Sequence, residues 1–342
     1  MRNFLKILTD FVSIGIVSFS DQKYLQKTLP KIVEQNFEKF EILFFDNNSD
    51  YRIRNWVKKK FPIIKIFGFK KNIGFGTAHN FLIQKSQGKF YWAVNSDFFP
   101  QKDFLQKIIP VMKKNKKIAS ASGKILQWKN FPKIPDTKIC SKIDSTGLKF
   151  FPNFSVQDRG NNQNVKNFQN QSEIFGAGGV APVFRISALH KISQNNKFFE
   201  ENFFAYFEDV DLALRFRWGG FSAIFIPTAV GFHDRSFFTK KSFYQQFWNR
   251  KKRSRFLRAE SFANYFLMIT KNFSSDFSFQ FLLKNYFFRA KYFCFLFFFE
   301  PLVFFTGLRK ILKFRKIFQE KNKKIIRQIS PEKMEEIIKN ID

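Results

Sequence analysis

The sequence predicts an α/β fold, a mainly parallel sheet flanked by helices, followed by a basic helical C-terminal extension. Three observations carry this. Short apolar runs rich in Val, Ile and Phe alternate with helical patterning from Phe11 to Asn115. Acidic residues fall at the carboxyl ends of those runs, where open α/β sheets keep their ligands. Beyond Phe238 the strand signals stop, and Phe-rich, basic helical patterning takes over.

Phe11–Phe19 (FVSIGIVSF) is a continuous apolar run with many β-branched residues, as a strand buried on both faces requires. Ser20 is placed to cap a helix over Asp21–Gln35, with Leu25, Leu29, Ile32 and Val33 at helical spacing. Glu41–Phe45 is a second strand ending at Asp46. Tyr51–Lys60 reads as a basic helix and Ile63–Phe69 as a third strand. A helix follows over Gly76–Ser86, then a strand at Phe90–Val94 ending in Asn95-Ser96-Asp97, then a helix over Lys102–Asn115. Right-handed crossovers put the carboxyl ends of such strands on one edge. Phe150–Gln171 is polar and aperiodic, a long loop or irregular hairpin of the kind that lines sites. Gly176-Ala177-Gly178-Gly179 precedes an apolar stretch and a helix at Ser187–Ile192, and Phe221–Pro227 is a closing strand. We divide the chain into residues 1–239 and a helical extension, 240–342.

Composition bounds the function. The 342 residues suffice for one large domain or two medium ones, and 44% hydrophobic content excludes wholesale disorder. Cys140 and Cys294 lie too far apart in sequence for a disulfide framework or a Cys-based zinc site, which suits a reducing compartment. Met1–Asp10 has a basic start but no clean apolar core or small-residue cleavage site, so no signal peptide is expected. A net charge of +32 invites a nucleic-acid reading. Lys outnumbers Arg more than twofold, however, whereas base and phosphate recognition favour Arg. Joint enrichment of Phe, Lys, Asn and Ile fits an A+T-rich coding bias. No nucleic-acid partner is expected.

The charge is also uneven: residues 240–330 hold 21 basic and 4 acidic side chains, net +17. Their most apolar run, Tyr292–Leu308, is interrupted by Glu300-Pro301 and falls short of the roughly 20 clean residues of a spanning helix. Helices lying on an anionic membrane surface fit better, with Phe dipping in and Lys/Arg at the headgroups. Arg250–Arg255 and Lys310–Lys316 flank the aromatic stretch. The plainer alternative is packing against the first part of the chain.

Asp46 and Asp97 each follow a strand; either alone could cap a helix or make a turn, but two on one sheet edge suggest a site. Between them, the glycines of Asn72-Ile73-Gly74-Phe75-Gly76-Thr77-Ala78-His79-Asn80 would let backbone N–H groups approach a diphosphate. This is not a GxGxxG fingerprint, which disfavours a Rossmann dehydrogenase. In Phe203–Leu212, the acids Glu208, Asp209 and Asp211 crowd into an aromatic setting. Repulsion and desolvation there raise carboxyl pKa values, as a general base needs. The alternative is a helix first turn, where acids offset the macrodipole. His233 follows the closing strand; His79 and His190 read as ordinary polar residues.

Taken in order from Val12 to His233, these elements resemble inverting glycosyltransferases of family 2, with the GT-A fold, and most closely the rhamnosyltransferase-like branch. The resemblance implies that Asp46 accepts hydrogen bonds from the pyrimidine of a nucleotide-diphospho-sugar. It places Asn72, Gly74 and Asn80 with the donor, and Gly178 and Gly179 beside the transferring sugar. Asp97, in a degenerate DxD-type triplet, would hold Mg²⁺ or Mn²⁺ on the diphosphate, with His233 completing the site. Asp209 would deprotonate the acceptor hydroxyl, with Glu208 beside it and Asp211 shaping the acceptor site. The chain departs from the family pattern in having Asp234-Arg235 after His233. The implied acceptor is a growing, lipid-linked surface glycan at the cytoplasmic face of a membrane. A nucleotide-sugar-forming nucleotidyltransferase would instead need a Gly-rich basic loop after the first strand, and Phe19-Ser20-Asp21-Gln22 is not one. A non-catalytic binder of anionic lipid or nucleic acid is the remaining alternative.

Overall fold

The fold comes from a computed structural model that describes residues 11–19, 21–47, 51–128, 131, 133–137, 140–234 and 253–341. The expected cap Ser20, the leader question at residues 1–10, Arg235, the basic Arg250–Lys252 and the boundary at 239/240 lie outside the described residues.

The elements run β1 (Val12–Ser18), α1 (Gln22–Val33), β2 (Phe40–Asn47), α2 (Tyr51–Lys60), β3 (Lys65–Phe69), α3 (Phe75–Lys85), β4 (Phe90–Asn95) and β5 (Phe98–Pro100). Then come α4 (Phe104–Lys114), β6 (Ile118–Gln127), β7 (Ile143–Ser145), β8 (Leu148–Phe150), β9 (Val156–Asp158) and β10 (Ser172–Ile174). The chain continues through β11 (Val183–Arg185), α5 (Ile186–Ile192), α6 (Glu208–Trp218) and β12 (Ser222–His233). It closes with α7 (Arg255–Asn272), α8 (Phe279–Phe299), α9 (Pro301–Lys323) and α10 (Pro331–Asn340).

Among the described residues, ten strands form one sheet in the order β10-β12-β6-β11-β4-β1-β2-β3, with β5 beside β12 and β7 beside β6. The long strands run parallel; the three-residue β11 opposes both its neighbours. The expected mainly parallel sheet is therefore present, with helices on both faces. Alternation along the strands sorts side chains into two cores. Ile14, Ile16, Phe44 and Trp92 meet Leu25, Leu29 and Ile108 of α1 and α4. Leu43, Phe45 and Tyr91 meet Leu82 of α3, Leu189 of α5 and Phe216 of α6 on the other face. Each large side chain so buried contributes roughly 1.5–3 kcal/mol.

The short strands β5, β7, β10 and β11 were not foreseen, nor were β6 and the far half of β12. β6 is buried along its whole length, yet Ser120, Ser122, Gly123 and Lys124 break its apolar pattern. β12 runs past the expected end at Pro227 to His233. Its register against β6 breaks between Ile226 and Val230, so Pro227-Thr228-Ala229 stand out of the ladder as a bulge. The expected irregular hairpin at 150–171 is the β8–β9 pair and a short 3₁₀ turn.

The C-terminal helices share a core with α6 and the β8 region: Phe150, Phe203, Val210 and Trp218 pack with Tyr265, Met268, Phe318 and Met334. Pro301 at the first turn of α9 separates it from α8. No described helix is long and apolar enough to cross a membrane.

Candidate active site

Parallel register assembles the site at one sheet edge. Ser18 stands beside Asp46, and Val17 beside Asn95, so the ends of β1, β2 and β4 meet there. After its bulge β12 joins the same edge and pairs with β5, setting His233 opposite Phe98 and beside Asp97. His233 Nε2 lies 3.3 Å from Asp97 Oδ2, and its Nδ1 lies 2.9 Å from Asp144 Oδ2. Burial alone would lower the imidazole pKa, but Asp97 and Asp144 outweigh it and hold the ring up to about 10.

Asp144 is fully buried on β7, brought to His233 by the pairing of β7 with β6. Its place behind the imidazole fixes the ring so that Nε2 faces Asp97, as the outer carboxylate does in carboxylate–histidine–metal arrangements. One partly exposed carboxylate and one oriented imidazole suit a divalent cation that takes its other ligands from phosphate and water. Among the described residues no group of three or more His, Cys, Asp or Glu could hold a metal. Asp21 also reaches this edge, accepting from Ser96 Oγ at 2.6 Å; burial first, and Asp97 further, push its carboxyl pKa up. With its carboxylate so engaged, Asp21 makes no side-chain cap at the start of α1.

Asp46 ends β2 as expected and is ion-paired with Arg54. Asn47 Nδ2 donates to Asn72 Oδ1 at 2.8 Å, and Asn47 Oδ1 accepts from the Ile73 N–H at 2.8 Å. This lacing fixes the turn before α3. Gly74 there has φ +82°, and a Cβ would come within 2.8 Å of the Phe204 carbonyl oxygen. Only glycine fits that conformation and that approach without strain.

Two expected roles need correction. Asn80 is buried; its Oδ1 accepts from the Phe198 and Phe199 N–H groups, and its Nδ2 donates to the Phe199 carbonyl. It therefore braces the 198–201 loop instead of facing a donor. Asp211 is fully buried, bonded to Arg215 Nε, Lys271 Nζ (both 2.9 Å) and Asn272 Nδ2 (2.8 Å). Burial would raise its pKa, but Lys271 and Arg215 hold it below the usual range. It anchors helices, and no face is left for an acceptor. His79 is buried against Tyr91, and burial lowers its pKa to about 3.

Glu208 and Asp209 open α6, behind two consecutive non-glycine residues at positive φ, Tyr206 (73°) and Phe207 (71°). Such backbone costs on the order of 1 kcal/mol or more per residue and persists only where neighbours impose it. Here α7 imposes it: buried Asn264 donates to the Ala205 carbonyl at 2.8 Å and the Tyr206 carbonyl at 3.1 Å.

The turn delivers Asp209 to the glycine patch. Asp209 Oδ2 accepts from the Gly179 N–H at 2.9 Å, and Oδ1 accepts from the Val210 N–H at 2.8 Å. A Cβ on Gly179 would sit 3.3 Å from that carboxylate, so the glycine permits the approach. Gly178 lies beside Ser145 and Asp158. Burial, then Asp158, pushes the Asp209 pKa up to about 6. Burial, then Asp209, pushes Glu208 up to about 8, and its Oε2 is buried without a hydrogen-bond partner. The two expected catalytic acids thus stand together, joined by Asp158, which sequence reading did not single out.

Comparison with known proteins bears on the fold and the family. An uncharacterized glycosyltransferase of Haemophilus influenzae is 25% identical over 119 residues, 34% of this chain and 36% of that protein. A dolichyl N-acetyl-α-D-glucosaminyl phosphate 3-β-D-2,3-diacetamido-2,3-dideoxy-β-D-glucuronosyltransferase of Methanococcus voltae is 30% identical over 125 residues, 33% of this chain and 39% of that protein. Each match thus spans little more than a third of its relative. The crystal structure of GalNAc-T7 with UDP, GalNAc and Mn²⁺ superposes with a TM-score of 0.58 at 13% identity, over 91% of this chain and 56% of that one. The shared fold is GT-A. The family model for glycosyl transferase family 2 matches residues 13–192, more than half of the sequence and most of the sheet, and the chain belongs to that family.

Proposed function

We propose that the protein transfers a sugar from a nucleotide-diphospho-sugar to a hydroxyl of a growing, lipid-linked surface glycan, inverting the anomeric carbon. The observation that carries this is Asp209, clamped by the Gly179 and Val210 N–H groups with its pKa raised to about 6. A carboxylate poised near neutral pH is matched to general-base work. Asp209 takes the proton as the acceptor oxygen bonds to the anomeric carbon, and the bond to the diphosphate breaks on the opposite face. One displacement with one base inverts configuration. Glu208, held protonated beside it, can donate a hydrogen bond to an acceptor oxygen.

Asp97 and His233 are the residues that would hold Mg²⁺ or Mn²⁺, in keeping with the Mn²⁺ and UDP in the GalNAc-T7 crystal. When bound, the cation neutralises the diphosphate leaving group. The laced turn at Asn72–Gly74, with Asp46 behind it, is assigned to the donor. The Methanococcus voltae relative's name places its acceptor on dolichyl phosphate, and a lipid-linked acceptor here follows that likeness. Residues 240–342 would then meet an anionic membrane at its cytoplasmic face, and a hexosyl or rhamnosyl donor fits the resemblance.

Thermal-shift screening of nucleotide-sugars with Mn²⁺ identifies the donor. Asp209→Asn should then lower kcat by about 10²–10⁴-fold while donor binding is kept. NMR of the product should show the anomeric configuration opposite to the donor's; retention, or full activity in the variant, overturns the assignment.

A further inference from the structure

We propose that the outward face of α8 and the tip it forms with α9 are a lipid-docking surface that seats the enzyme on an anionic bilayer. This rests on the membrane-held acceptor proposed above and names the surface that reaches the membrane. One side of α8 packs on the protein through Phe281, Asn285 and Leu296. The opposite side presents Phe279, Leu283, Tyr286, Phe287, Phe297 and Phe298, which are 40–75% exposed. These positions recur at helical spacing along the face that a water-exposed helix fills with charge. An apolar face of this length marks an interaction site. At the tip, Phe299, Leu302 and Phe305 extend it onto α9 and are each at least half exposed.

Charge selects the occupant. From Phe277 to Gln319 the chain has eight Lys and Arg and one acid, Glu300. Glu300 is turned inward, buried and bonded to Arg258 at 2.6 Å, so the tip shows no exposed carboxylate. A second copy of this chain would bring the same positive rim against itself, which disfavours self-association. Nucleic acid would reward Lys and Arg in its path, yet only Lys284 and Lys291 interrupt the aromatic stripe. An anionic bilayer satisfies both features: aromatic side chains enter the interface and the surrounding Lys reach the headgroups.

The docked face is also tied to the chemistry. Lys310 of α9 donates to Glu260 at 2.6 Å and to Asn264 at 2.8 Å, and Asn264 holds the strained turn before Glu208. Seating α8 and α9 on a membrane therefore fixes the height of the acceptor turn above it.

The test is co-sedimentation of the full chain with vesicles of phosphatidylcholine, alone or mixed with phosphatidylglycerol, with no donor or acceptor present. Binding should be at least about tenfold stronger to the anionic vesicles and should weaken with salt. Phe287→Ser with Phe298→Ser should weaken it on the order of tenfold per side chain. Both positions are exposed, and an unchanged circular dichroism spectrum checks the fold. Lys284→Glu with Lys291→Glu should remove the preference for anionic lipid. Equal sedimentation of parent and Phe variant overturns the proposal. So does preferential binding of duplex DNA, or a dimer that the Phe variant dissociates in the absence of vesicle binding. Transfer to a soluble acceptor, measured alongside, should be unchanged in the Phe variant; if the parent protein itself shows intact transfer but binds no vesicles, the surface is refuted and the enzyme assignment stands.

Discussion

Glu208 carries a cost that pH can expose. It is partly buried, its Oε2 has no hydrogen-bond partner, and Asp209 is its neighbour in sequence and space. Burial and that neighbour raise its pKa from 4.5 to about 8. Because the folded value lies above the unfolded one, the fold favours the protonated form. The contribution of Glu208 to stability is therefore full below about pH 4.5 and is lost as pH rises to about 8, beyond which the loss is constant. At about 1.4 kcal/mol per pKa unit, the whole rise corresponds to about 4–5 kcal/mol.

Part of that rise is repulsion shared with Asp209, and an amide placed there leaves its own N–H groups poorly bonded, a cost of about 1 kcal/mol or more. Glu208→Gln should accordingly stabilise the protein by about 2 kcal/mol above pH 8, and by nothing, or slightly less than nothing, at pH 4.5. Urea unfolding of both proteins across that range measures the difference. A difference that is flat with pH, or that grows toward acid, would refute the reasoning. The same variant should lose activity, since the strained turn and crowded carboxyls sit where stability is traded for function.

Three other outcomes follow from the same geometry. The kcat profile should show an acid limb near pH 6, since Asp209 must be ionised to accept a proton; Asp158→Asn should move that limb toward lower pH, and an unmoved limb counts against Asp158 as the neighbour that matters. Asn264→Leu leaves the Ala205 and Tyr206 carbonyls unbonded, at about 1–3 kcal/mol each, and should lower kcat more than it raises KM in steady-state assays. Asp144→Asn should weaken Mn²⁺ binding in the presence of UDP by about 10–100-fold, read from the free-Mn²⁺ electron paramagnetic resonance signal.

The sequence made visible what local pattern controls. β1, β2 and β4 are buried on both faces, so they show as unbroken apolar runs, and the acids at their ends mark the sheet edge without further information. β6 was hidden because Ser120, Ser122, Gly123 and Lys124 occupy a strand flanked by neighbours, where burial comes from the sheet around it more than from its own side chains. With β6 missing, β7 had no partner, and Asp144 could not be placed behind His233. Strand-end logic would have found Asp21, the first acid past β1. Asp158 depends on a hairpin whose fold no local pattern reveals. Asn80 and Asp211 were misassigned for one shared reason: a polar residue inside a chemical motif looks like a ligand contact until its long-range partners are known. Those partners are 118 residues away for Asn80 and 60 for Asp211.

The fate of Asp211 also changes the meaning of the basic extension. Lys271 lies between Asp211 and Glu200, at 2.9 Å from each, and Lys321 bonds Glu200 at 2.5 Å. Burial alone would raise Glu200, yet Lys271 and Lys321 hold it far below the usual carboxylate range. Lys310 is likewise engaged with Glu260. Part of the positive charge after residue 240 is thus internal, matched to acids of the sheet domain and of α7. Removing one partner of such a buried group leaves an uncompensated charge at about 3–5 kcal/mol, so α7 and α9 cannot leave α6 cheaply. The same helices, through Asn264, hold the turn that presents Asp209. The extension therefore has two faces: inward lysines that, with Asn264, hold the turn before Asp209, and an outward aromatic face whose Lys284 and Lys291 pair with no acid among the described residues.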